Sequence, residues 1–282
     1  MLLSVPMHAQ QTANLTAFTP FKIAGNLYYV GSEDQASFLV ATSKGLILIN
    51  SGYAESAPLI EQSIEKLGFK VSDVKILLLC HAHIDHDGGS AAIIQKTGAK
   101  YEVMEPDVET VESGGKKDFN NGPFPEEWYP ATHVDRVLHD GDKVELGDMV
   151  LTGRLTPGHT KGNTTWTFDE NQDGRVLNVV IVGSVSAGGG KGGNYKLIDN
   201  AAYPQIATDF PKGFAIMESL PCDIFLGAHA RYFNMKAKYE RLQAGDKNAF
   251  IDPEGYKAFV ANGEQHFKDQ LAKQQAAKQA GN

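Results

Sequence analysis

His81-Ala82-His83-Ile84-Asp85-His86 puts three imidazoles and a carboxylate into six consecutive positions. The apolar run Val74-Lys75-Ile76-Leu77-Leu78-Leu79-Cys80 leads into it, and Gly88-Gly89 follows. Side chains two apart on an extended strand point the same way, so His81 and His83 can converge on one point at the strand's end. Asp85 and His86 come next, as the chain turns, on another side of the same crevice, which suits a second ion beside the first. Imidazole together with carboxylate is a donor set for zinc, at about 2.0–2.2 Å. A solvated polar turn would draw on Ser, Asn and Gly rather than on three imidazoles.

These donors must be positioned by the elements around them. Apolar runs resembling strands occur at 21–23, 27–30, 37–42 and 45–50, an antiparallel meander that ends in Asn50-Ser51-Gly52. Leu59, Ile60, Ile64 and Leu67 recur at helical spacing before Gly68, and a second helix is expected from Gly88 to Gly98. Strands follow at 100–104, 135–138, 143–146, 149–155 and 176–182, with a polar hairpin turn over 169–174. A helix at 203–219 precedes a strand at 222–226, and the tail from Pro253 to Gln279 is expected to be helical, docking through Tyr256, Phe259, Val260, Phe267 and Leu271. Residues 114–130 lack periodicity and carry three prolines and three glycines; a long aromatic loop of this kind is expected to form a wall or lid.

Chemistry-bearing residues therefore fall four times at the C-terminal end of an apolar strand: at His81–His86, His159, Ser184 and His229. Strand ends are where mixed α/β folds gather ligands. Alone, His159 or His229 would be an ordinary structural histidine. Beside a cluster short of donors, each becomes a candidate ligand, and Gly158 and Ala228 leave room for the backbone to approach. The count closes as His81, His83 and His159 on one ion and Asp85, His86 and His229 on a second. Each group then leaves a position for water, as catalytic rather than structural zinc does. His8, His133, His139 and His266 have no assigned role. The glycine-rich 187–195 segment is no phosphate loop, because its lysine is not followed by Ser or Thr.

With 282 residues, 42% of them hydrophobic, the chain can bury a sizeable core. A net charge of −8 and a pI near 5.6 speak against a nucleic-acid partner, and no apolar run is long enough to span a membrane. Met1–Ala9 resembles the end of a secretory signal peptide cleaved after Ala9, truncated upstream, so export to a periplasm is expected. Residues 10–282 are expected to form a single domain with a polar C-terminal helix. Cys80 and Cys222 are expected to be free thiols, with a disulfide between them left open.

The His-x-His-x-Asp-His motif, His159 in Thr-Pro-Gly-His-Thr, and His229 together resemble the metallo-β-lactamase superfamily, from about residue 20 to 260. The resemblance implies an α/β protein, an αββα sandwich of two similar halves with a di-zinc site at one edge of the sheets. Ser184 stands where lactonases and glyoxalase-type thiolesterases place a metal-bridging aspartate. With Ser186 and the Gly227–Phe233 tract, it resembles the third subclass of class B β-lactamases. Ser184 and Ser186 are then implied to hold the substrate carboxylate near the second metal. Two departures stand out: the early aspartate is Asn50, and no cysteine follows Cys222 to form the disulfide of some members.

The implied reaction is hydrolysis of a β-lactam amide by zinc-bound hydroxide, with two Zn2+ per chain and Asp85 orienting the nucleophile. Ser113-Gly114-Gly115-Lys116 matches the penicillin-binding Ser-x-x-Lys signature but lacks its companion motifs, so no serine nucleophile is expected. The expected partner is a small-molecule β-lactam, and a monomer is expected. Rival readings are a di-zinc hydrolase of another lactone, ester or thioester, and a zinc-binding protein without catalysis.

Overall fold

The computed structural model describes residues 15–280; the Met1–Ala9 segment, and His8 with it, lies outside the described residues. The first half runs β1 (Phe21–Ala24), β2 (Leu27–Tyr29), β3 (Phe38–Thr42), β4 (Gly45–Ile49), α1 (Ala57–Lys66) and β5 (Val74–Leu78). It continues through α2 (Ile84–Asp87), α3 (Ser90–Thr97), β6 (Lys100–Met104), α4 (Val108–Glu112) and β7 (Arg136–Leu138). The second half comprises β8 (Lys143–Leu146), β9 (Met149–Leu155), β10 (Thr164–Gln172), β11 (Arg175–Val182), and the two-residue β12 (Gly188–Gly189) and β13 (Gly193–Asn194). Then come α5 (Ile206–Ser219), β14 (Ile224–Gly227), α6 (Met235–Gln243) and α7 (Pro253–Ala280).

Strands β1 to β7 form one sheet in chain order, antiparallel up to β4 and parallel from there on. The second sheet has the order β14-β11-β10-β9-β8, with β14 parallel to β11 and the other pairs antiparallel. Parallel neighbours require crossovers, which the helices supply. The period-two alternation of the central strands divides the core. Ile47, Ile49, Ile76 and Leu78 point toward Trp166 and Val180 of the other sheet. Leu46, Leu48, Leu77 and Leu79 pack under Ile60, Ile64 and Ile93 of α1 and α3. Helices α5 and α7 cover the second sheet through Phe210 stacked on Phe267 and Phe225 against Tyr256. The result is the αββα sandwich that the motif implies.

Most expected elements are found within a residue or two, including the docking face of α7. Three differ. The expected helix from Gly88 begins four residues earlier, as the short α2, so Asp85 and His86 sit on a helical turn, and Gly98 in the left-handed region (φ 67) ends α3. The expected polar turn over 169–174 is mostly strand: β10 continues to Gln172, and only Asp173 (φ 53) and Gly174 (φ 84) turn. With both central residues at positive φ, this is the tight hairpin that matches strand twist. Glu170, read as part of a turn, is instead buried, with its carboxylate accepting the Asn26 N–H at 2.9 Å. Cys80 and Cys222 are free thiols. No helix among the described residues is long and apolar enough to cross a membrane.

Candidate metal centre

The end of β5 is fixed before its histidines begin. Cys80 N–H donates to the Asn50 side-chain oxygen at 2.9 Å, Thr164 N–H to the Cys80 carbonyl at 2.7 Å, and the Trp166 indole to the Leu79 carbonyl at 3.0 Å. Asn50 itself holds a left-handed backbone (φ 62) and donates to the Ala36 carbonyl at 3.3 Å. The aspartate-to-asparagine departure thus leaves a residue that braces the strand end.

Beyond Cys80 the rings converge. His81 lies 5.0 Å from His83, 4.6 Å from His159 and 4.3 Å from His86 between ring centroids, and His83 lies 4.8 Å from His159. One donor atom from each of His81, His83 and His159 falls within 4.8 Å of the others. On the other side, Asp85 Oδ2 stands 3.3 Å from His86 Nε2 and 3.4 Å from His229 Nε2, and the His86 and His229 rings are 4.8 Å apart. All six residues expected from the sequence meet at one place, although His159 and His229 arrive from the second half.

The cluster carries unsatisfied polarity that a cation would relieve. His81 Nδ1, His83 Nε2 and both nitrogens of His86 are buried with no hydrogen-bond partner, a costly state for polar atoms. Burial, then the neighbouring imidazoles, hold His81 well below its ordinary pKa, and His159 falls to about 3 for the same reasons. Both are therefore neutral at pH 7, the state that binds metal. Burial alone would raise the Asp85 carboxyl, but His86, and then His229 and His83, outweigh it and keep it ionised far below the usual range. Five imidazoles and one carboxylate, with no thiolate, fit a borderline ion such as zinc.

Further residues aim the rings. His159 Nδ1 donates to the Ser186 carbonyl at 2.8 Å, leaving its other nitrogen for the centre. His229 Nδ1 lies 3.1 Å from Asp34 Oδ2, and Arg231 bonds the same carboxylate. His83 Nε2 is 3.6 Å from Asp118. Behind α2, Asp87 Oδ1 accepts the Ser90 and Tyr101 hydroxyls, each at 2.5 Å. Ser184 is buried, with its hydroxyl 3.4 Å from that of Tyr232, and the Ser186 hydroxyl donates to the Gly188 carbonyl at 3.1 Å.

Asp34, Asp107 and Asp118 were not expected. The rule that strand ends gather function, applied to β6, would have drawn attention to Asp107; the other two sit in loops without any pattern. Asp118 belongs to the aperiodic 113–131 loop, which reaches the glycine-rich segment through Asn120 Nδ2 donating to the Gly189 carbonyl (3.3 Å) and Gly192 N–H donating to Asn121 (3.4 Å). The loop is therefore tied to the site by Asp118 on one side and to the β12–β13 ribbon on the other.

A family model for the metallo-beta-lactamase superfamily matches residues 30–177. Among solved structures, native FEZ-1 metallo-beta-lactamase from Legionella gormanii is 49% identical, covering 93% of this chain and 98% of that one with a TM-score of 0.89. BJP-1, a subclass B3 metallo-beta-lactamase of Bradyrhizobium japonicum, is 34% identical over 93% of this chain and 97% of that one, with a TM-score of 0.86. A hydroxyacylglutathione hydrolase of Buchnera aphidicola is 30% identical over 135 residues, 48% of this chain and 43% of that protein, so this chain spans under half of that relative's length.

Proposed function

This chain belongs to the metallo-beta-lactamase superfamily, and from that premise we propose that it hydrolyses the cyclic amide of β-lactam antibiotics, penicillins, cephalosporins and carbapenems among them, using two zinc ions. The observation that carries the reading is the 49% identity to a metallo-beta-lactamase along 93% of the chain. In this reading His81, His83 and His159 hold one ion, and Asp85, His86 and His229 hold the other. Zinc, when bound, supplies a water-derived nucleophile at neutral pH and polarises a carbonyl oxygen.

The chain's own side chains do the rest. The ionised Asp85, between two imidazoles, would orient the nucleophile and relay its proton to the lactam nitrogen as the C–N bond breaks, leaving a carboxylate, a free amine and Asp85 ionised again. Ser186 and Ser184 lie between His159 and Tyr232. There the Ser186 hydroxyl can exchange its bond to Gly188 for one to the substrate carboxylate. The wall formed by the 113–131 loop limits water around the bound ring. An exported, monomeric, single-domain enzyme acting in a periplasm would make its host resistant to these antibiotics.

A second reading, a di-zinc hydrolase of another lactone, ester or thioester, is supported by the hydroxyacylglutathione hydrolase relative. The zinc-loaded protein should be given a chromogenic cephalosporin, a lactone and a glutathione thioester in parallel, with and without chelator. Cephalosporin turnover that chelation abolishes is expected. Turnover of the lactone or thioester alone would replace the first reading with the second.

A further inference from the structure

Asp107 lies three residues beyond the end of β6, buried, with both carboxylate oxygens engaged. Oδ2 accepts the Ala82 N–H at 3.0 Å and the Thr160 hydroxyl at 2.7 Å, and Oδ1 accepts the Gly162 N–H at 2.7 Å. Ala82 is the residue between His81 and His83, and Thr160 directly follows His159. One carboxylate therefore grips both chain segments that supply the three-imidazole group, and it bonds none of the imidazoles itself.

Two further observations sharpen this. The Ala82 carbonyl accepts the Tyr129 hydroxyl at 3.1 Å, so both polar groups of the residue between the two histidines are held. A Cβ on Gly162 would stand 2.6–2.7 Å from the backbone nitrogen, Cβ and Cγ of Asp107. The His159 loop can thus approach the carboxylate only with glycine at that position. Three donors converging from two segments require two acceptor oxygens, which a carboxylate has and an amide lacks.

We propose that Asp107 is the positioning residue of the three-histidine group, holding His81, His83 and His159 in register so that the ion meets a preformed set of donors. The proposal rests on the zinc-site reading above. Partners that orient metal ligands from outside the coordination sphere typically change affinity by about 10–100-fold, and that range is expected here.

The test is a zinc titration of the apoprotein against a chromophoric chelator, which resolves two binding steps. Comparison with His81→Ala and His229→Ala assigns each step to its group. Asp107→Asn, which keeps the shape but turns one acceptor into a donor, should weaken the His81 step by about 10–100-fold and leave the His229 step unchanged. Thr160→Val, which removes a single donor, should weaken the same step less. Equal weakening of both steps, or a lower apoprotein melting temperature with zinc affinity intact, overturns the positioning role. Should Asp107→Asn fail to fold, an unchanged His81 step in Thr160→Val overturns it equally. Failure of the wild-type protein to take up zinc defeats the metal assignment, and the positioning role with it.

Discussion

At the scale of single residues, Asp85 is the most constrained group in the centre. It is the one carboxylate between two imidazole nitrogens at 3.3 and 3.4 Å, and it stays ionised despite burial. Asparagine in its place would keep the volume, lose the charge and turn an N–H toward a crowded set of imidazoles. Positioned general acid–base groups typically contribute about 10²–10⁴-fold. Asp85→Asn should therefore lower kcat on a cephalosporin by about 10²–10⁴-fold at full zinc loading, checked by steady-state kinetics alongside metal analysis. A variant that keeps wild-type kcat would remove Asp85 from the chemistry.

At the scale of elements, the motif turn is held by a buried polar cluster behind it. Asp87 on α2 accepts from Ser90 on α3 and Tyr101 on β6, while Ser51, just past β4, bonds Ser90 at 2.9 Å and donates to the His86 carbonyl at 3.1 Å. Burial pushes Asp87 up from 3.8 to about 7, against the hydrogen bonds that favour its charge. The folded chain then keeps a proton that the unfolded chain releases above about pH 4. Since the folded state binds more protons, stability falls as pH rises from about 4 to about 7 and levels off beyond. Asp87→Asn should flatten that slope, and its stability relative to wild type should improve from pH 4 to pH 8 by about 4 kcal/mol, measured by denaturant melts of the apoprotein. Parallel pH curves for the two proteins would refute the assignment. This bracing was not legible in the sequence. His81 to His86 announce themselves because the donors are contiguous and follow an apolar strand, and His159 and His229 follow from the strand-end rule. The strand-end rule reaches Asp107 through β6, which stops at Met104, whereas Asp34, Asp87 and Asp118 are common polar residues whose meaning comes only from segments that fold against them. The strand β10 was hidden for a different reason: its polar stretch Asp169–Gln172 imitates a turn until the buried positions Trp166, Phe168 and Glu170 are seen to alternate with more exposed ones.

At the scale of the whole molecule, the centre joins the two halves of the sandwich. His81, His83, Asp85 and His86 come from the first half and His159 and His229 from the second, with Asp34 of the first half reaching back to His229. Unfolding takes His159 and His229 away from the contiguous motif, so an ion held by donors from both halves binds the native state more tightly than the unfolded chain and stabilises it by mass action. Free zinc at 1,000 times its dissociation constant adds about 4 kcal/mol per site. At about 2–4 °C per kcal/mol for chains near this size, the melting temperature should rise by on the order of 10 °C for each site filled, and chelation should reverse it. The same argument predicts how the gain divides. His81→Ala should lose the increment of one site and His229→Ala that of the other, whereas substituting the surface residue His266 should lose neither. Calorimetric scans of apo and zinc-loaded protein would check this, and a melting temperature indifferent to chelation would show that the six side chains meet without holding an ion between the halves.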